Sequence, residues 1–582
     1  MPASFGKLRL DFILNTNECK IPYFPAFSKE TNETFQPQEY TNCFDPESSL
    51  LTFVEVNNNT IYLHLDEENE VFHGSEEPLT CCYSYVTRNG TEEEPDVGFS
   101  LSECTPFNTT VQLEENVVMV KCERDSIVVY ENVHSPITIT REVHTKLQQS
   151  SNAKSSKKRL RHKPISVLII VIDSVSRLNF KRTMPSTRRT LLSNGFTEFI
   201  AYNKIDDNTF PNFMALLSGM NLKQVYSKCD PKEIGKLDEC PMIWYDFRDN
   251  GYVTAYAEDW PLISTFNYNK KGFQNPPTDY YFKTYLEAAE SLNMTWKDTM
   301  PYCTGPETEG ERVLNLAKDF SSTFKNNMSF GIFWMNTFSH NYINSPMGMD
   351  TKVSDFFQYL KDAHILDDSI VFLLSDHGIR FGKLRQTIQG WFEERLPVNF
   401  ISIPLWFKSK YVVENSNFFD NANKLISTYD LYMTLQDVLK KSVPTYNITP
   451  SKACPRCASL FSNIIRVRSC KDAGIPEAWC TCIGEFTTED SRLTEETNNK
   501  AIALALKAIQ RLEGQEPFST SVTNIISSAV NLNRLRKSYL LLVIETNTEA
   551  VYQILFRIRG DPVDFVRIVK VMKLASFNSK TA

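Results

Sequence analysis

Six residues of the kinds that bind metals or move protons stand just beyond apolar runs of similar size. Asp173 closes SVLIIVI, Glu258 and Asp259 close YVTAYA, His340 follows MSFGIFWMN, and Asp376 and His377 follow DSIVFLLS. Carboxylates and imidazoles are common ligands of divalent cations and common acids and bases in hydrolytic sites. A single carboxylate after a strand has a simpler use as a cap for the next helix, so the recurrence at four run ends is what marks a site. A further segment is DDNTFPNFMALLSG at 206 to 219, where Thr209 precedes an apolar helical run and Pro211 falls in its first turn, where no N–H is needed. The open N–H groups of such a helix start suit a phosphate, and Thr209 is either the hydroxyl facing that phosphate or simply an N-cap.

For these residues to meet, the runs must be neighbouring strands. They are rich in β-branched and aromatic residues and are separated by helical stretches, the pattern of a parallel sheet covered on both faces. In such sheets ligands bind outside the carboxyl ends of the strands, where the six residues fall. This catalytic core is expected over residues 164–450. Residues 1–147 alternate in short apolar and polar runs such as TIYLHL and NVVMVKC, and are expected to form a β-rich, disulfide-containing region. QQSSNAKSSKKRLRHK, at 148–163, reads as a solvated basic linker. Residues 451–582 are expected to hold a Cys-rich segment and then an α+β region, with a helix at NKAIALALKAIQRLEG and a hairpin at SYLLLVIETNTEAVYQILFRIRG.

Composition narrows the function classes. The chain has 582 residues, 42% hydrophobic and 23% charged, which is enough to bury a sizeable core and excludes a disordered or fibrous protein. A formal charge of -8 argues against a nucleic-acid partner. No run of about 18 apolar residues occurs, so no transmembrane span is expected in this chain. The start, MPASFGKLRLDFIL, is interrupted by Asp11 and makes no clear signal peptide. Fourteen cysteines and N-x-S/T sequons at Asn32, Asn58, Asn89, Asn108, Asn293, Asn327 and Asn447 point nevertheless to an extracellular or secretory-lumen glycoprotein with disulfides. An alternative for CPRC at 454–457 with CTC at 480–482 is a structural zinc site.

The motifs IDSVSRLNFKRTMP, NTFPNFMALLSG, YAEDW, SHNYIN and SDHGIRFGKLRQTIQGWFEERLP resemble the alkaline phosphatase superfamily, which includes nucleotide phosphodiesterases and sulfatases. They resemble most an uncharacterised animal branch of sulfatase-like proteins of unknown function, over about residues 164 to 410. The resemblance implies an alkaline-phosphatase-like three-layer α/β/α sandwich flanked by the β-rich and Cys-rich regions. It implies that Asp173, Asp376 and His377 hold one divalent metal, with His340 as a further ligand and Thr209 as nucleophile. Two carboxylates and an imidazole suit zinc, with manganese or magnesium as alternatives. The pattern also departs from the family. Asn336 stands where a second-metal Asp is expected, and no His follows His377. Either Asp350 or another carboxylate substitutes, or one metal suffices, or activity is lost. Thr209, Pro211 and Phe213 occupy the Cys/Ser-x-Pro-x-Arg positions of formylglycine sulfatases, so sulfate ester hydrolysis of that kind is not expected.

Arg177, four residues beyond Asp173, is a candidate for gripping a substrate oxyanion, with Arg380 a lesser one. Glu258 and Asp259 are candidates for orienting substrate or supplying a replacement ligand. Trp260 reads as core, and His64, His73, His134, His144, His162 and His364 as ordinary residues. The expected function is a metal-dependent hydrolase or transferase of phosphoesters in small molecules, glycans or lipids. The alternative is a non-catalytic extracellular glycoprotein that keeps the fold and binds a partner.

Overall fold

A computed structural model describes residues 12–44, 50–69, 77–155, 164–514, 520–531 and 537–574. The first eleven residues of the chain start, the 156–163 part of the expected linker, His73 and His162 lie outside the described residues. Among those described, the central sheet has seven strands: β1 (Ser166–Ile172), β2 (Thr197–Glu198), β3 (Val253–Glu258), β4 (Tyr280–Tyr281), β5 (Ser329–Met335), β6 (Ser369–Leu374) and β7 (Asn399–Ser402), in the spatial order β2-β7-β6-β1-β5-β3-β4. The four apolar runs are thus the four adjacent strands β6, β1, β5 and β3, all parallel. The antiparallel pairing of β7 with β6 was not anticipated; its short segment, NFIS, carries no pattern that distinguishes direction.

The uninterrupted apolar runs arise because both sheet faces are covered. Along β1, Val167, Ile169 and Val171 face one core, while Leu168, Ile170 and Ile172 face the other. The first layer contains α2 (Thr209–Ser218), α5 (Ile388–Arg395) and α6 (Thr428–Ser442), through residues such as Phe213, Trp391 and Leu435. The second contains α1 (Arg177–Thr183), α3 (Glu309–Thr323) and α4 (Asp350–Asp362), through Phe180, Ala317 and Phe357. The expected three-layer sandwich is present.

The flanks are bonded to this core. The N-terminal region is β-rich as expected, with TIYLHL at Thr60–Leu65 and a strand at Val118–Arg124, stapled by Cys81–Cys122 and Cys82–Cys104. The fully buried Arg312 of α3 donates to Asn132 Oδ1 at 2.8 Å and to the Val133 carbonyl at 3.2 Å, locking that region onto the sandwich. The segment read as a solvated linker begins differently: Arg141–Ser155 is a helix, anchored by Lys146 to Asp279 at 2.6 Å. At the other end, the expected helix spans Glu495–Glu513, and the expected hairpin, Ser538–Thr546 with Val551–Arg559, belongs to a five-stranded antiparallel sheet. All fourteen cysteines are paired, including Cys454–Cys457, Cys470–Cys480 and Cys19–Cys482. That pairing corrects the zinc alternative, because a disulfide leaves no thiolate to coordinate.

Glu309, the first residue of α3, is 0% exposed and neither carboxylate oxygen has a hydrogen-bond partner. Burial first, then the nearby Glu290 and Asp259, hold its carboxyl well above the usual 4.5. The folded protein therefore keeps this proton to a higher pH than the unfolded chain does. Its contribution to stability is full below the unfolded value and is lost as pH rises through the folded one. Glu309→Gln is expected to stabilise the protein by about 1–3 kcal/mol at pH 8 and by little at pH 5. Urea denaturation at the two pH values checks this.

Candidate metal centre and nucleophile

Because β1 and β6 are adjacent, with Val171 opposite Leu374, the residues just beyond them meet. The ligand atoms of Asp173, Asp376 and His377 all lie within 4.8 Å of one another, and the three residues are 0%, 3% and 0% exposed. Asp173 Oδ1, Asp376 Oδ2 and His377 Nε2 have no hydrogen-bond partner. His377 Nε2 and Asp376 Oδ2 face each other at 3.1 Å, and three buried ligand atoms gathered at one place without a hydrogen bond fit a divalent cation, which would relieve all three together.

The remaining atoms of the triad are fixed. Asp376 Oδ1 accepts from the His377 N–H at 2.9 Å and the Ser174 N–H at 3.3 Å. His377 Nδ1 lies 3.0 Å from the Gly378 carbonyl, so Nδ1 carries the proton and Nε2 presents its lone pair. Burial, followed by the charges of Arg380 and Lys204, holds this imidazole well below its usual pKa and therefore neutral, the form that ligates. Burial, then repulsion from Asp173, pushes Asp376 up to about 7, and burial raises Asp173 as well. Ser174 has φ 60°, a left-handed conformation costly for a residue with a Cβ, and this turns its N–H toward Asp376.

Thr209 is the first residue of α2; Asn208 is the N-cap, and its side chain makes no capping bond. The plain N-cap reading of Thr209 is therefore corrected. Its hydroxyl donates to Asp173 Oδ2 at 3.2 Å, which brings it to the edge of the triad. The chain beyond His377 must pass close to α5: a Cβ on Gly378 would meet the Glu393 carbonyl oxygen at 2.2 Å. Gly378→Ala is expected to displace the Asp376–His377 turn and weaken cation binding at least about tenfold, read by metal titration.

Beneath the site lies a buried ionic layer that sequence reasoning missed. Glu394 is paired with Lys204, with Arg395 at 2.7 Å and with Arg385 at 3.4 Å, all fully or almost fully buried. These cations, after burial is opposed, hold Glu394 at about 2. Lys204 Nζ also donates to the Asp207 carbonyl at 2.8 Å, which steadies the loop before Thr209. Glu394→Gln strands three buried cations and is expected to cost about 3–5 kcal/mol, measured by chemical denaturation. The available signal was the run of charges in WFEERLP, set among residues that otherwise read as core.

His340 lies outside the triad, half-buried, with Nδ1 2.6 Å from Asn341 Oδ1. Arg177 donates to Glu198 at 3.2 Å and shares that carboxylate with Lys181 and Arg188. Glu258 accepts from the Thr265 N–H and hydroxyl at 2.9 Å, and Asp259 from the Thr337 hydroxyl at 2.7 Å, so both are engaged in holding loops. Asp350 accepts from the backbone of Ser186 and Thr187 at 2.9 and 2.8 Å, capping the helix Pro185–Ser193. It therefore does not stand in for the missing second-metal Asp. Asn336 donates to the Asp259 carbonyl at 3.0 Å, tying β5 to the end of β3. Arg380, unlike Arg177, bears on the centre through its charge, which acts on Asp173, His340 and His377, and it lies 4.0 Å from Asp207.

Among the described residues, no helix is long and apolar enough to cross a membrane. The family described as "Protein of unknown function (DUF229)" matches residues 36–520. No curated protein matches the chain. Among solved structures, the lipoteichoic acid synthase LtaP from Listeria monocytogenes is 14% identical, covering 55% of this chain and 81% of that one at a TM-score of 0.34. The putative sulfatase yidJ from Bacteroides fragilis is 13% identical, covering 72% and 90% at 0.32. The lipooligosaccharide phosphoethanolamine transferase A from Neisseria meningitidis is 12% identical, covering 53% and 63% at 0.34.

Proposed function

Given that this chain belongs to the DUF229 family, whose description assigns no activity, we propose from the site itself that it is a metal-dependent hydrolase or transferase of phosphoesters with Thr209 as nucleophile. The observation that carries this reading is the set of three buried ligand atoms on Asp173, Asp376 and His377, gathered within 4.8 Å without a hydrogen bond, with the Thr209 hydroxyl beside them. Asp173, Asp376 and His377 would hold the cation, with two oxygens and one nitrogen as suits zinc. A divalent ion bound there supplies charge neutralisation and makes a nearby hydroxyl more acidic.

The residues divide the remaining work. Thr209 Oγ forms the bond to phosphorus as the ester oxygen leaves, and its proton is directed at Asp173 Oδ2. The start of α2 presents backbone N–H groups to the transferred phosphoryl oxygens, and Arg380 adds a positive charge that already acts on Asp173 and His377. Water or an acceptor alcohol then resolves phospho-Thr209, giving hydrolysis or transfer. The seven disulfides favour action in the secretory lumen or outside the cell.

The test is direct. After dialysis against a chelator, the protein is expected to take up about one zinc per chain and to turn over bis(p-nitrophenyl) phosphate or p-nitrophenyl phosphate only when loaded. Stoichiometric metal uptake without turnover of any phosphoester sinks the enzyme reading and leaves the partner-binding glycoprotein.

A further inference from the structure

Four residues beyond His377, Phe381 joins an aromatic cluster around His340. The Trp260 ring lies 5.9 Å from His340 and 6.5 Å from Trp296, and the Phe381 ring lies 5.7 Å from His340. The two Trp260 contacts are edge-on, at interplanar angles of 82° and 81°, so the rings form a corner and not a parallel slot. Trp260 is 8% exposed and backs the corner, whereas Trp296 is 56% exposed.

An indole so exposed is unfavourable unless something covers it, yet Trp296 is held firmly. It lies on the hairpin Met294–Lys297 with Met300–Thr304, whose turn residues Asp298 and Thr299 have φ 53° and 62°. Asn341, the residue bonded to His340, donates to the Thr299 carbonyl and hydroxyl, both at 3.2 Å. Lys297 donates to the Glu39 carbonyl at 2.8 Å, and Cys303 is joined to Cys43. The hairpin is thus braced from the site side and from the N-terminal region.

We propose that this corner is the subsite for the alcohol portion of the substrate and that it takes a neutral sugar ring, making the substrate a sugar phosphoester. The proposal rests on the phosphoester reading above and specifies its substrate class. Three observations select the occupant. A cationic head group such as choline or ethanolamine is disfavoured, because Glu258 and Asp259 are engaged in loop hydrogen bonds and the guanidinium of Arg380 lies 5.6 Å from the Phe381 ring. A flat nucleobase stacks best between parallel faces, which the perpendicular rings do not provide. A pyranose presents a C–H face to an indole and hydroxyls around its rim, and it fills a corner. With His340 Nδ1 donating to Asn341 Oδ1, the other ring nitrogen is an acceptor for one of those hydroxyls.

The experiment titrates zinc-loaded protein with inorganic phosphate, glucose 6-phosphate, glucose 1-phosphate, phosphocholine and AMP, following binding by calorimetry, with metal content measured on each sample. At least one sugar phosphate is expected to bind about tenfold or more tighter than phosphate, phosphocholine and AMP. In Trp296→Ala the ratio of sugar-phosphate to phosphate affinity is expected to fall about tenfold. Trp296→Phe, which keeps an aromatic face, is expected to restore part of it. Preference for phosphocholine or AMP, no preference for either sugar phosphate, or an unchanged ratio in Trp296→Ala overturns the proposal. Those outcomes leave the phosphoester reading standing as long as zinc and inorganic phosphate bind; failure of both ligands to bind overturns that reading instead.

Discussion

Thr209→Ala is expected to lower phosphoester turnover by about 10³-fold or more while leaving zinc stoichiometry at about one per chain, because the hydroxyl is the bond-forming atom of the proposed mechanism. The substitution removes one side-chain hydrogen bond, to Asp173 at 3.2 Å, and Ala is at ease near a helix start, so the fold should tolerate it. Thr209→Ser keeps the oxygen and is expected to retain measurable activity. Single-turnover assays with bis(p-nitrophenyl) phosphate, alongside metal analysis, separate a lost nucleophile from a lost cation. If Thr209→Ala turns substrate over at the parent rate, some other group attacks phosphorus.

Asp376→Asn should have the largest opposite effects on two measurements. Zinc binding is expected to be lost or weakened by several orders of magnitude, since one of only two carboxylates in the triad becomes neutral. The chelated variant, by contrast, is expected to be more stable than the chelated parent, by on the order of 2 kcal/mol. In the metal-free protein, Asp173 and Asp376 are buried together and repel each other, an arrangement that the amide relieves. Thermal melts with and without zinc give both results. A variant that melts below the parent in chelator would mean that the carboxylate pair is structural, and the case for a cation site would weaken accordingly.

The two effects have the same origin. A binding centre stores unfavourable charge that its ligand neutralises, so what harms the empty protein is what binds the ion. Ser174 in its left-handed conformation and Gly378 pressed against the Glu393 carbonyl belong to the same arrangement, because both hold the turns that deliver the ligands. The buried layer of Lys204, Glu394, Arg385 and Arg395 supports those turns from below.

Much of the core was legible because its signals are local. A strand buried on both faces must be apolar along its whole length, and β1, β3, β5 and β6 each read that way. A polar residue ending such a run lies at the strand's carboxyl edge, which is why Asp173, Asp376 and His377 stood out. Thr209 was placed at a helix start by the apolar run that follows it. What failed was the use of each remaining charged residue. Arg177 and Arg380 look alike in sequence, each a few residues past a member of the Asp173–Asp376–His377 triad, yet one is bound to Glu198 and the other exerts its charge on the centre. Asp350 had the right chemistry for a metal, and the helix Pro185–Ser193 claims it.

The sequence by itself determined the alternation of strands and helices, the residues at the strand ends and the cysteine-rich character of the flanks, since each depends on burial or composition along a short stretch. Only the tertiary structure decided which cysteines pair, that β7 runs against β6, and which carboxylates gather beside Thr209. The physical reason is that a charged side chain takes whichever partner lies within about 4 Å. That partner sits 21 residues away for Arg177 and 164 for Asp350, distances over which the chain carries no local signal.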